Sequence, residues 1–296
     1  MRKTLVFDKI KIEQDQLHLT RVKFYEKIQK HFGGITVVSF FTSFVYPVML
    51  EDGDAEMLEA VLQKSDLKKG LILFISCPGG DGLAAERIIN LCRTYSGNGK
   101  FYTIVPAKAK SAATMICLGS NKIIMGKTSE LGAVDPQLIF EENGKRVSYS
   151  VYRLLENYNE LFKGAVKTKG NIEPFLQQLS TYDPRDIAEN RAALETSSDI
   201  AIKALKSGML SNLSIAKIKK NLSLFLVPKT VKTHGRPIYA KEAQNCGLNI
   251  EIINHSDTIW EDIYELYSRL DNYVSRNMVA KCVESLDYHY VATWRN

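Results

Sequence analysis

The chain has 296 residues, 45% of them hydrophobic and 24% charged, enough to bury one large α/β core with an appendage. Its 39 basic and 33 acidic residues leave a net charge of +6, and no basic tract is interleaved with aromatics, which argues against a nucleic-acid partner. The five cysteines are scattered, odd in number and form no CxxC pair, so a disulfide framework and a zinc site are both disfavoured and a reducing, cytoplasmic compartment is expected.

The first residues, MRKTLVFDKIKIEQDQ, return to charge before any apolar h-region develops, so no secretory signal is read there. Residues 12–32 place Leu17, Val22, Phe24, Tyr25 and Ile28 at helical spacing and end at Gly33–Gly34. Residues 35–50, ITVVSFFTSFVYPVML, form the one candidate membrane segment. The run is shorter than the ~20 apolar residues of a spanning helix, contains Pro47 and is rich in β-branched and aromatic types, so it predicts a buried strand and loop rather than an anchor. Residues 52–64 carry the stripe Met57, Leu58, Val61 and Leu62 of another helix.

From residue 71 the pattern alternates. A fully apolar strand over 71–75 runs into Pro78-Gly79-Gly80, a helix follows over 83–95, and a strand over 101–105. Residues 111–118 are small and apolar, as in a buried helix, and 122–125 form a third short strand. Such alternation predicts parallel strands joined by crossover helices. Beyond Leu138, residues 140–147 suggest a hairpin-like polar turn. Residues 150–207 read as mainly helical, broken near 170–174 and 183–184. A helix over 240–246 capped by Gly247, a strand over 248–253 and a final helix carrying Ile259, Ile263, Leu266 and Leu270 complete the chain.

Three residue sets in this pattern can do chemistry. The two glycines after Pro78 leave backbone N–H groups unshielded, which suits an oxyanion hole, although a tight turn needs the same residues. Ser111 opens an apolar stretch, where its hydroxyl meets free N–H groups as a nucleophile, or serves as an ordinary N-cap. A serine nucleophile needs a base. Of the five histidines, His18, His31, His255 and His289 lie in polar surroundings, whereas His234 precedes a Gly-Arg-Pro turn. Asp135, in GAVDPQL, can orient an imidazole or cap the turn before Pro136. A desolvated lysine such as Lys163 or Lys167 is the alternative base.

The segments CPGG (77–80), VPAKAKSAATMICLGSNKIIMG (105–126), SELGAVDPQL (129–138) and THGRPIYAKEAQNCGL (233–248) resemble, in this order, the serine dehydrogenase proteinase family. Its relatives are the Clp protease proteolytic subunit and signal peptide peptidase A. The resemblance covers most of residues 20–253 and implies a ClpP/crotonase-like α/β fold of stacked βαβ units, with additional helices at the N- and C-terminal ends. It implies a serine endopeptidase with Ser111 as nucleophile and the amides of Gly79, Gly80 and Ala112 as oxyanion hole. His234 and Asp135 then serve as base and orienting acid, in slots exchanged relative to the Clp subunits. It further implies a peptide or protein substrate, a homo-oligomer, no cofactor or metal, and an ATPase partner as an option.

The chain departs from the family pattern at Cys77, where serine or threonine is usual, at Ala113, where glycine is frequent, and at Gly235, where aspartate usually follows the histidine. The last departure keeps open a catalytically weak scaffold or peptide-binding protein. A crotonase-like acyl-CoA enzyme is the third alternative, against which no basic adenine-phosphate pocket is evident. The expected organisation is a helical segment over 1–34, a peptidase domain over 35–255 containing a mainly helical insertion over 150–210, and a helical extension over 256–296.

Overall fold

Runs of β-branched and aromatic residues, too short for helices and apolar on both faces, build the sheet at the centre of the molecule. The computed structural model describes residues 5–12, 17–97, 99–142, 145–226, 235–276 and 278–295. In chain order, helices α1 (Val6–Ile12) and α2 (Leu19–His31) lead to strand β1 (Thr36–Thr42). The alternation α3 (Gly53–Leu62), β2 (Gly70–Ser76), α4 (Gly82–Ser96), β3 (Lys100–Val105), β4 (Lys108–Ala109), α5 (Ala112–Leu118) and β5 (Lys122–Gly126) follows. Next come β6 (Glu130–Leu131), the hairpin β7 (Gln137–Glu142) and β8 (Lys145–Ser150), then helices α6 (Val151–Lys167), α7 (Glu173–Leu179), α8 (Pro184–Ser207), α9 (Ile215–Asn221) and α10 (Ser223–Leu226). The chain closes with β9 (Ile238–Tyr239), α11 (Ala240–Asn245), β10 (Ile250–Ile253), α12 (Thr258–Arg276), β11 (Val279–Glu284) and β12 (His289–Thr293).

The main sheet has seven strands in the order β10–β5–β3–β2–β1–β11–β12. The five strands from β10 to β1 are parallel, and β11 and β12 add antiparallel at one edge. This is the mixed α/β architecture expected from the alternation. Side chains along each strand point to opposite faces and each face has its own core. Val38, Phe40, Leu71, Leu73 and Ile75 pack on one side with residues of α3, α4, α5 and α8. Val37, Phe41, Ile72 and Phe74 pack on the other with residues of α2 and α12.

Several expectations change in detail. Over residues 12–32 the long helix is α2, Leu19–His31, and the described residues 17 and 18 lie outside it. The stretch 35–50 is β1 and its loop, and no helix among the described residues is long and apolar enough to cross a membrane. Among the described residues, 256–296 are helical only over α12. The strand β11 returns to pair with β1, and β12 pairs with β11 as the outermost strand on that side. That return was hidden because β11, VAKCVE, places Lys281 and Glu284 in positions that are buried. Their neutralising partners come from far along the chain: Lys281 Nζ bonds Asp54 and Glu51, and Glu284 receives Arg21 and Tyr25.

Burial also governs the thiols. Cys77, Cys92, Cys117 and Cys282 are buried, and Cys246 alone is partly exposed. Burial raises the Cys77 thiol to about 11 and the Cys117 thiol to about 12, so neither forms thiolate at neutral pH. A thiol-reactive chromogenic disulfide should therefore titrate only Cys246 in the native protein and all five cysteines after denaturation. Rapid native modification of Cys77 would contradict this packing.

Candidate active site

The site is assembled where the main sheet meets a second, smaller one. Just past β2, Cys77 makes a single parallel bridge to Ala109 of β4. Cys77 N donates to Lys108 O at 3.3 Å and Lys110 N donates to Cys77 O at 3.0 Å. Beyond that bridge one strand runs into Pro78-Gly79-Gly80 and the other into Ser111, so the turn and the serine emerge side by side. Their contact is close. A methyl group at Gly79 would lie 2.6 Å from the Lys110 carbonyl oxygen, 2.8 Å from Ser111 Cβ and 3.2 Å from the Ala112 nitrogen. Gly79 also has φ +96°, a conformation that L side chains rarely adopt.

Ser111 itself is strained. Its backbone has φ 49° and ψ −119°, and Met278 is the one other non-glycine residue with positive φ among the described residues. The usual reason for a serine at this position is not in use, since its side chain makes no capping bond to α5. Its hydroxyl has no hydrogen-bond partner among the described residues. Because α5 has only 7 residues, local N–H groups rather than a long helix dipole set the polarity there. Two of the three amides singled out from the sequence, Gly80 and Ala112, have no acceptor among the described residues. The third is committed: Gly79 N donates to the Cys77 sulfur at 3.4 Å. Gly79 therefore acts as the residue that lets the turn reach the serine.

The second sheet, β4–β6–β9, gathers the remaining candidates. Ala109, Leu131 and Ile238 are paired across it and buried, while Lys108, Glu130 and Tyr239 face outward. β4 runs parallel to β6, and β9 runs antiparallel to β6. The exit of β4 toward Ser111, the exit of β6 toward Asp135 and the entry to β9 from Gly235 thus share one end. His234 lies outside the described residues. A Cβ at Gly235 would meet nothing within 4 Å among the described residues.

The loop after β6 is fixed by two side chains and one backbone carbonyl from three helices. Gly132 N donates to Thr114 Oγ1 at 2.9 Å, Val134 N to Phe225 O at 3.0 Å, and Ser197 Oγ to Val134 O at 2.5 Å. Asp135 is buried, and its Oδ2 accepts from Gln137 Nε2 at 2.8 Å and Ser150 Oγ at 2.9 Å. Lys110, passed over in the sequence, braces the strand that leads into this loop: its Nζ lies 3.2 Å from Glu130 and 3.4 Å from Leu131 O. Burial lowers its pKa, offset in part by the bond to Glu130. A signal for it existed, since it directly precedes Ser111, but only the pairing of β4 with β6 gives it a partner.

Other sequence candidates stand apart from this cluster. Lys163 and Lys167 are exposed on α6. His18 is engaged with the Ser285 carbonyl and stacks on His289, His31 packs edge-on against Phe32, and His255 lies against Trp260.

Residues 8–163 match the family described as ClpP-like SDH-type serine proteinase. The chain belongs to this family. The matched stretch contains the Pro78–Gly80 turn, Ser111 and Asp135 and ends before the β9 entry. An uncharacterized protein of Methanocaldococcus jannaschii is 26% identical over 269 residues, covering 86% of this chain and 80% of its own length. A second uncharacterized protein of the same organism is 29% identical over 203 residues, 64% of this chain and 60% of that protein. The mixed sheet with its flanking helices is thus a ClpP-like serine proteinase scaffold.

Proposed function

We propose that the protein is a serine endopeptidase whose nucleophile is Ser111. The observation that carries this reading is the serine's backbone: strained, uncapped and in contact with the glycine turn through Gly79. Strain of this kind costs about 1–3 kcal/mol and persists where function requires the geometry. In the proposed reaction Ser111 Oγ attacks the scissile carbonyl while the base takes its proton. The negative charge on the tetrahedral intermediate is held by the Gly80 and Ala112 N–H groups. The proton then passes to the leaving amine, and water repeats the sequence on the acyl-enzyme. His234 is the proposed base and Asp135 its orienting acid, supported by the common end of the small sheet from which both chain segments extend.

The test is covalent. A fluorophosphonate probe should label the protein stoichiometrically, with the adduct mapped by peptide mass to Ser111; a folded protein that takes up no label, or takes it elsewhere, would refute the proposal. A second expected outcome concerns the turn. Gly79→Ala forces the Pro78–Gly80 turn away from Ser111, and losing one oxyanion donor typically costs about 2.7–4 kcal/mol in the barrier. Peptide hydrolysis should therefore fall by ~10²–10³-fold in kcat, with the far-ultraviolet circular dichroism spectrum unchanged.

A further inference from the structure

The Pro78–Gly80 turn has a second neighbour besides Ser111. Leu50, buried in the loop after β1, makes a single parallel bridge to Gly80. Leu50 N donates to Gly79 O at 2.8 Å, and Asp81 N donates to Leu50 O at 2.9 Å. The approach requires glycine, since a methyl group at Gly80 would collide with the Leu50 carbonyl oxygen and lie 2.5 Å from its nitrogen. A peptide group is planar, and in the trans form its C=O and N–H point in opposite directions. The bond from Leu50 to the Gly79 oxygen therefore fixes the aim of the Gly80 N–H, which shares that plane and points away from Leu50. This N–H is one of the two proposed oxyanion donors.

Leu50 is anchored in turn from the far end of the chain. The residues after it form a turn into α3, in which Glu51 N donates to Asp54 Oδ2 at 2.8 Å and Asp54 N to Glu51 O at 3.0 Å. Lys281 of β11 reaches this turn. Its Nζ lies 2.7 Å from Glu51 Oε1, 2.8 Å from Asp54 Oδ1 and 2.9 Å from Asp54 Oδ2. Lys281 and Asp54 are both buried, so the pair is screened little by water and ties β11 firmly to the turn. We infer that Lys281 is a positioning residue for the reaction: through Asp54, Glu51 and Leu50 it holds the Gly79–Gly80 peptide with the Gly80 N–H aimed at the developing oxyanion. The inference rests on the peptidase reading for its role in catalysis, although the clamp itself is measurable without turnover. It also gives β11, which lies beyond the stretch matched to the family, a part in shaping the turn inside that stretch. Lys281 acts through the backbone and not on the reacting atoms. Its effect belongs to the transition state, because an oxyanion hole contributes as charge develops.

The experiment reads the clamp and the catalysis separately. Lys281→Met combined with Asp54→Asn removes both buried charges together and keeps an oxygen on residue 54 to accept from Glu51 N. Glu51→Ala, at a side chain that is 74% exposed, weakens the same tie without endangering the fold, and it carries the comparison alone if the double variant does not fold. Amide hydrogen exchange by NMR at Leu50 and Asp81 should quicken about tenfold or more in the double variant, and less in Glu51→Ala, relative to amides within β2. For peptide hydrolysis kcat should fall about tenfold or more at unchanged KM, and fluorophosphonate labelling should slow in parallel. Exchange that quickens throughout β2 alike, or at neither amide, would overturn the clamp. A local change in exchange with kcat intact would overturn its part in catalysis. Failure of the peptidase reading shows differently, as a wild-type protein that fluorophosphonate does not label, and the exchange comparison then still decides whether Lys281 holds the turn.

Discussion

Replacing Ser111 by alanine is expected to abolish fluorophosphonate labelling and to lower kcat for any cleaved peptide by roughly a millionfold, the loss typical of a serine hydrolase deprived of its nucleophile. The same position predicts an effect of opposite sign on stability. Alanine inherits the strained φ of 49°, so Ser111→Ala should melt close to wild type. Ser111→Gly relieves the strain and should melt higher, by the equivalent of about 1 kcal/mol or more after allowing for the flexibility glycine adds to the unfolded chain. An inactive but more stable glycine variant would mark the strain as kept for catalysis. Retained cleavage in either variant would rule out Ser111 as the nucleophile.

The second large effect lies far from this site, where α2 meets the sheet edge. Arg21 and Glu284 are both fully buried and joined by two bonds of 2.7 Å, and Tyr25 donates to the same carboxylate at 2.9 Å. Pairing with Glu284 raises the Arg21 pKa despite burial, so the guanidinium stays charged at any ordinary pH. Glu284→Ala removes the carboxylate that accepts both of these bonds from a buried guanidinium and should cost about 3–5 kcal/mol, read as loss of stability in a urea titration. Replacing both partners, as in Arg21→Met with Glu284→Leu, should recover most of that loss because no charge is then stranded. A single variant as stable as wild type would show that Arg21 reaches water or another partner when Glu284 is removed.

The parallel α/β core was legible because its signal is local. Residues 71–75 are apolar throughout and 101–105 apolar but for Thr103, as suits strands covered on both faces, and the helix between them carries a one-sided stripe. The C-terminal strands were not legible for the same reason. Lys281 and Glu284 look like surface residues until Asp54 and Arg21, more than two hundred residues away in sequence, are brought beside them. Lys110 was missed in the same way, as its partners Glu130 and Leu131 O come from another strand.

At the site, the amino-acid sequence by itself determined the components: two glycines after a strand, a serine before small residues, an acid in the next loop, and the family to which their order belongs. The tertiary structure decided their states. It is the Cys77–Ala109 bridge that sets the turn against the serine, and the pairing of β4, β6 and β9 that brings three distant chain segments to one end. It also decided which amides have an acceptor and that Ser111 is strained rather than capping. Residue type and spacing encode what a group can do. Backbone dihedrals, hydrogen-bond partners and burial depend on which other segments pack against it, and those contacts exist only once the chain has folded.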